Sequence, residues 1–440
     1  MDGRIWPIRY GQIVSGTPTG RTVPSASPTV WKIFKSQSLS GPKKEWPRQK
    51  MMKRSLLKMY KINHLRIKGF RRLYDIDLEM RPLMVVIGAN SVGKTSFLDT
   101  ISLLSASAEG KLNSRLNEMG GIASVLTWDK TDELSFLVDM EVPGYNPLKY
   151  ELHLAAKGQS YAVSREMLSQ ERKRALGPFK HIESHYGDVR YYEIKGNKLV
   201  RPTWEHNPFE TSLSQVPKMF HEPEELRRIL SSATLYHVLN VGSRAPVKLP
   251  QAMKPAELPG EHGEDIVPFL YYLRESSRDC YDTIEDALRS AFPGFENLGF
   301  PPVAAGMLAM TWKDKNFKKP MYMNQLSEGI LRFLWLVSLL QSPGLSTITM
   351  IDEPEVSLHP ELLLLLSDLL REASRRTQII VATHSDSLIR FLRPEEVIVM
   401  DIDEDGHASA EWADKLDLEK WLSDYTLDEV WRMGRMGGRS

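Results

Sequence analysis

The sequence predicts an α/β fold of the phosphate-loop class, with parallel and mixed sheets and a helical lobe. Three observations carry that reading. First, the continuous apolar run Leu83-Met84-Val85-Val86-Ile87 suits a strand buried on both faces. Second, it runs into Gly88-Ala89-Asn90-Ser91-Val92-Gly93-Lys94-Thr95, of the form G-x-x-x-x-G-K-[ST], and then into helix-forming sequence over residues 96–104. Strand, loop and helix in that order are the setting such a loop requires. Third, two further apolar strands end in polar groups, at Ile351-Asp352-Glu353-Pro354 and at Val381-Ala382-Thr383-His384-Ser385.

Taken in order, residues 1–58 stand apart. They are rich in turn formers, as in Ser15-Gly16-Thr17-Pro18-Thr19-Gly20, and lack apolar periodicity. The segment is expected to be a disordered basic extension, although its basic, acid-poor composition superficially matches an organelle transit peptide. An ATPase-sized core is expected over residues 59–440, divided into 59–130, an inserted β-rich and helical lobe over 131–316, and a C-terminal part over 317–440. Alternation predicts strands over residues 62–67 and 73–78. Strand-like pieces follow at 134–141 and 191–200, the latter turning at Gly196-Asn197. Helices are predicted over 266–276, 281–291 and 327–340, and from Pro360, where proline is tolerated in the first turn, to about 376. Strands over 347–351 and 378–382, a hairpin over 397–401 and 407–412, and a short helical tail through Trp421 and Trp431 complete the chain. No internal repeat or long heptad pattern is present.

Composition narrows the class. With 42% hydrophobic and 26% charged residues, the 440-residue chain resembles a globular protein with a sizeable core. The longest apolar stretches, 330–340 (interrupted by Arg332) and 362–366, are too short to span a bilayer, so a membrane role is not expected. Cys280 is the sole cysteine, which excludes an intramolecular disulfide framework and fits a reducing, cytoplasmic setting. The net charge of +1 hides an asymmetry: residues 1–61 carry 13 Lys+Arg against 2 Asp+Glu, leaving 44 against 54 for the remainder. The body is mildly acidic, and global charge identifies no broad nucleic-acid face. The clusters Arg172-Lys173-Arg174 and 313–319 are read as solvated loops, and Tyr191, Tyr192 and Trp204 as packing residues.

The chemistry follows from the residue types. Convergent amides from Gly88 to Ser96, at the positive end of a helix, suit phosphate groups. Lys94 would neutralise β- and γ-phosphate charge, while the Thr95 hydroxyl and, through water, Asp352 would hold Mg²⁺. Two adjacent carboxylates at a strand end are costly unless a cation or a reacting water compensates them. Glu353 is therefore the candidate general base, and His384 the candidate contact to γ-phosphate and the attacking water. In Leu326-Ser327-Glu328-Gly329, Ser327 stands where a helix begins, so its hydroxyl, the free amides up to Gly329 and the helix dipole form an anion-binding end.

In combination these motifs resemble the ABC-type ATPase heads of the RecF/SMC class, and more narrowly the RecF-like predicted ATPases of the AAA_21/AAA_15 type. The likeness runs from about residue 60 to the C-terminus. It includes Leu65-Arg66-Ile67-Lys68-Gly69-Phe70-Arg71-Arg72, the segments through Ser327 and Asp352, and Trp421-Leu422-Ser423-Asp424-Tyr425-Thr426-Leu427. The resemblance implies an ATP- and Mg²⁺-dependent head that dimerises head to tail around two nucleotides. Ser327 of one copy then faces the γ-phosphate held by Lys94 of the other. It also implies that Arg71 lies near nucleotide and that Ser357 and His359 lie at the dimer seam. One element of the pattern is missing. Such heads carry a glutamine between the glycine loop and the signature, and Gly120-Gly121-Ile122-Ala123-Ser124-Val125-Leu126-Thr127-Trp128, near its expected place, has none.

Two functions are compatible with these features. One is an ATP-driven clamp or sensor acting on double-stranded DNA in repair or genome defence. The other is an ATP-gated adaptor that regulates a separately encoded effector protein. A transporter-driving subunit fits poorly, because the interval from Lys94 to Ser327 is too long.

Overall fold

Burial on both sides explains the apolar run at residues 83–87. In the computed structural model, which describes residues 61–142, 146–171, 177–193 and 198–436, Leu83, Val85 and Ile87 enter one core while Met84 and Val86 enter the other. The basic extension, the turn at Gly196-Asn197 and the cluster Arg172-Lys173-Arg174 lie outside the described residues.

Numbered along the chain, the first strands are β1 (Lys61–Phe70), β2 (Leu73–Glu79), β3 (Leu83–Gly88), β4 (Glu133–Glu141), β5 (Leu148–Lys157) and β6 (Ser160–Gln170). Next come β7 (Phe179–His185), β8 (Asp188–Glu193), β9 (Lys198–Val200) and β10 (Thr234–Tyr236). The short strands β11 (Gln251–Ala252), β12 (Phe295–Gly299), β13 (Met307–Leu308), β14 (Thr311–Asp314) and β15 (Met321–Tyr322) follow. The last are β16 (Ile348–Asp352), β17 (Gln378–Ala382), β18 (Val397–Ile402) and β19 (Ala408–Trp412).

Two large sheets organise the molecule. The first has the order β2-β1-β4-β5-β6-β7-β8-β9 and is antiparallel throughout. The second has the order β10-β16-β17-β3-β18-β19, parallel except for the final hairpin. Strands from residues 131–316 enter both sheets: β4 to β9 continue the one begun by β1 and β2, and β10 edges the other.

The helix Lys94–Glu109 shares a core with the antiparallel sheet and one face of the parallel sheet, through Phe97, Leu98, Ile101 and Leu104. The opposite face is covered by helices Ile266–Ser276, Arg278–Ala291, Glu328–Leu340 and Pro360–Ser374. The sheets are tied by polar contacts. The buried Gln378 amide accepts from Ile62 N at 3.0 Å and donates to Ile62 O at 2.9 Å. Trp412 Nε1 donates to Glu79 O at 3.1 Å. Buried amides satisfied in this way add little net energy but are expensive to break. Tyr191 is buried, donates to Ser212 O at 2.8 Å and packs on Trp204 at 5.1 Å, as a packing residue would. No helix among the described residues is long and apolar enough to cross a membrane.

Candidate active site

The site is assembled by register. Ile351 of β16 pairs with Tyr236 of β10 and with Val381 of β17, and Asp352 pairs with Ala382. Val86 of β3 pairs with Ala382, and Gly88 with Met400 of β18. The pattern continues into the loops, where Glu353 N donates to Ala382 O at 2.9 Å and Thr383 N to Val86 O at 3.1 Å. The carboxyl ends of four parallel strands therefore stand side by side, which is where open α/β sheets bind ligands.

Gly93 caps the helix Lys94–Glu109 with φ of 116°, a left-handed conformation that glycine reaches without strain. Lys94, the first helical residue, is buried and donates from Nζ to Gly88 O and Ala89 O, each at 2.7 Å. Burial lowers its pKa to about 8, against the opposing pull of Glu353 and Asp352. Beside it opens a cleft of about 260 Å³ lined by Arg71, Arg72, Ser91, Gly93, Lys94, Thr95, Ser96 and His384. Within this loop Asn90 is exposed and Val92 is buried. Arg71 is aimed by Asp99, whose carboxylate accepts from Nη1 at 2.7 Å, and lies 3.4 Å from Ser96 Oγ. The loop and Arg71 are thus brought together, as are the loop and His384.

The acidic pair closes the other side. Asp352 is half-buried, and burial followed by Glu353 raises its pKa above the usual carboxylate range, while His237 and Lys94 pull the other way. Glu353 Oε1 lies 3.9 Å from His384 Nε2. Burial and then Lys94 lower the His384 pKa, with Glu353 opposing. A shift in that direction favours the uncharged ring, which suits a group that contacts phosphate or water. Thr95 and Asp352 supply hard oxygen donors, the kind Mg²⁺ takes alongside phosphate oxygens.

Ser327 and Gly329 do not line this cleft of their own chain. Ser327 is exposed at the start of Glu328–Leu340, its hydroxyl accepting from Ile330 N at 3.4 Å. A Cβ at Gly329 would fall 2.8 Å from Ser357 O, so this helix end and the loop after the acidic pair touch through backbone. Arg332 ties the same parts together, donating to Ser357 Oγ, to Val356 O and to Leu239 O. His359 caps Pro360–Ser374 and is exposed.

Backbone strain clusters here. Of the seven non-glycine residues with positive φ among the described residues, Arg71, Ser91, Glu353 and Ser357 belong to these loops. Each such residue costs on the order of 1–3 kcal/mol, and such conformations concentrate where geometry serves a site.

Three residues escaped the sequence reading. Asp99 orients Arg71. Glu355 is half-buried, its Oε1 accepting from Thr383 Oγ1 at 2.5 Å and His384 N at 3.4 Å. Burial raises its pKa, and its second oxygen has no hydrogen-bond partner among the described residues. His237, directly after β10, has Nδ1 3.8 Å from Asp352 Oδ2. The third acid of Asp352-Glu353-Pro354-Glu355 was visible, but its partner lies 28 residues downstream. Neither of the other two has a local pattern to mark it.

Residues 83–390 match the family described as "AAA domain, putative AbiEii toxin, Type IV TA system". This chain is a member of that family. Among solved structures, the SMC head bound to the C-winged helix domain of ScpA is similar at 13% identity and a TM-score of 0.51, covering 80% of this chain and 97% of that one. The SMC head domain from Thermotoga maritima matches at 12% identity and a TM-score of 0.43, covering 80% and 98%. The Smc head with an extended coiled coil, bound to the C-terminal domain of ScpA derived from Pyrococcus furiosus, matches at 12% and 0.48, covering 85% and 100%. No curated protein matches the sequence. The first of these likenesses establishes an SMC-head-like, P-loop fold for this AAA_21 chain.

The site of this AAA_21 head yields two predictions. Because burial lowers the Lys94 pKa to about 8 and phosphate would bind the charged form, triphosphate affinity should fall as pH rises above about 8, by up to roughly tenfold per unit. Fluorescent-nucleotide titrations from pH 7 to 10 check this, and Lys94→Met should bind weakly with no such slope. Glu355→Ala removes the brace under His384, so kcat for triphosphate hydrolysis should drop roughly 10- to 100-fold with nucleotide affinity unchanged. Glu355→Gln, which can still accept from Thr383, should recover most of the loss in a steady-state phosphate-release assay.

Proposed function

We propose that this AAA_21 head binds and hydrolyses ATP and closes head to tail on a second copy around two nucleotides, acting as a clamp or sensor. The observation that carries the reading is the separation of half-sites within one chain. The cleft holds the glycine loop, Arg71 and His384, while exposed Ser327 and half-buried Gly329 form a helix start outside it.

In this reading Lys94 exchanges its two loop carbonyls for phosphate oxygens, and Arg71, held by Asp99, adds a second positive charge. Bound Mg²⁺, held by Thr95 and Asp352, would neutralise phosphate charge. Glu353 accepts a proton from the attacking water, and His384, braced by Glu355, orients that water. Ser327 of one copy completes the site of the other. A bound triphosphate then supplies the differential affinity that separates closed from open forms.

DNA in repair or genome defence is the leading partner on the resemblance to RecF/SMC heads, and the family's toxin–antitoxin description supports the defence side. The acidic balance of residues 62–440, 44 Lys+Arg against 54 Asp+Glu, favours a second reading, an adaptor for a separate effector protein.

Glu353→Gln should retain ATP, lose at least roughly 100-fold in turnover, and elute as a dimer in light-scattering chromatography with ATP. Adding Ser327→Arg should return it to monomer with nucleotide still bound. A Glu353→Gln protein that is monomeric while saturated with ATP would refute the clamp. To separate the partners, turnover is measured with and without duplex DNA from 50 to 200 mM salt, roughly the range over which phosphate contacts weaken strongly. Stimulation that fades with salt supports DNA, and a DNA-independent rate supports the adaptor.

A further inference from the structure

We infer that the hairpin joining β14 to β15 is a contact for duplex DNA, its lysines taking backbone phosphates and its exposed Phe317 the sugar or base edge between them. The inference deepens the DNA-partner reading above and rests on it.

Charge comes first. Residues 293–322 hold Lys313, Lys315, Lys318 and Lys319 against only Glu296 and Asp314, in a body where acids outnumber bases. Among the described residues none of the four lysines forms an ion pair with a carboxylate. Lys313 Nζ instead donates to Phe317 O at 2.5 Å and Lys318 O at 3.4 Å, and Lys315 Nζ to Pro293 O at 3.0 Å. Asp314 is turned into the loop, accepting from Asn316 N at 2.8 Å. Arg289, on the neighbouring helix Arg278–Ala291, is by contrast neutralised by Glu285 and Asp286. Lys318 and Lys319 are exposed. Unpaired lysines act on phosphate as point charges, without regard to sequence.

The ring is the second observation. Phe317 is 53% exposed between these lysines, and no other ring among the described residues packs on it. An apolar ring adds nothing to the binding of carboxylates, whereas it suits the sugar and base edges that lie between phosphates. The acidic balance of residues 62–440 repels a polyanion elsewhere and steers it to this local positive site.

The loop is also tied to the helix that Ser327 begins. Trp312, at its base, is buried, 4.4 Å from Phe295 and 5.5 Å from Phe292. Phe292 in turn lies 5.7 Å from Phe333 of the helix Glu328–Leu340. DNA held at the tip therefore bears on the element that, in the proposed dimer, meets the partner's nucleotide.

The test uses the full chain, with and without a non-hydrolysable ATP analogue, and a fluorescent DNA duplex read by anisotropy from roughly 50 to 200 mM salt. Lys318→Ala combined with Lys319→Ala should weaken binding at least roughly tenfold and flatten the slope of log affinity against log salt by about 1.8, the value for two lost phosphate contacts. Lys318→Arg with Lys319→Arg, which keeps the charge, should restore both. Phe317→Ala should weaken binding at least roughly fivefold with the slope unchanged. Comparing slopes isolates this loop from the 13 Lys+Arg of residues 1–61, which every variant retains. Circular dichroism melting verifies that each variant is folded. Duplex binding with an undiminished slope in the double alanine variant overturns the hairpin assignment and leaves the DNA reading standing. No duplex binding by the native chain in either nucleotide state overturns both. Polyglutamate bound as tightly as duplex, and lost in the same variant, assigns the loop to an acidic protein and overturns it as a DNA contact.

Discussion

Everything at the candidate site depends on parallel pairing at the carboxyl ends of β10, β16, β17 and β3. The ladder does not stop where the strands stop: Glu353 N reaches Ala382 O, and Thr383 N reaches Val86 O. These bonds fix where the acidic pair, the histidine loop and the glycine loop emerge, before any side chain is considered. The apolar runs on both faces of the sheet hold that register, because a one-residue slip would exchange the two cores. Scaffold and site are thus the same construction viewed from two ends.

Charge balance refines what the backbone positions. Lys94 is buried among loop carbonyls with Asp352 and Glu353 near enough to feel its field. Alone, each carboxylate would be poorly placed so close to the other. Lys94 and the exposed imidazole of His237 temper that repulsion at Asp352 without cancelling it. What remains is a pocket rim that is positive along the glycine loop and negative at the strand end, the asymmetry that the proposed binding of a phosphate chain with a divalent cation would use.

Much of this was legible in the chain itself. The strand before Gly88 and the strands carrying Asp352 and Thr383 were evident, because a strand buried on both faces writes an unbroken apolar run. Ser327 was legible as a helix cap for a local reason, its hydroxyl accepting from Ile330 N three residues on. Helix limits were softer: the phosphate-loop helix begins at Lys94 and runs to Glu109, beyond the 96–104 core suggested by sequence, since Ser105, Ser107 and Ala108 carry little apolar signal yet are buried. The edge strand Thr234–Tyr236 was invisible, being only three residues long, and with it went His237. Glu355 was visible as a letter and silent as a role, because its partners Thr383 and His384 meet it only once two strands are paired.

The left-handed conformations at Arg71, Ser91, Glu353 and Ser357 carry a last implication. A scaffold that keeps four side-chain-bearing residues in a region favouring glycine holds a reserve of conformational tension that could be released by swapping them out. Replacements that relax these loops would gain thermal robustness at the expense of the geometry they impose. In this fold the requirements of endurance and of a correctly shaped pocket pull in opposite directions, and they do so along a few short turns rather than in the core.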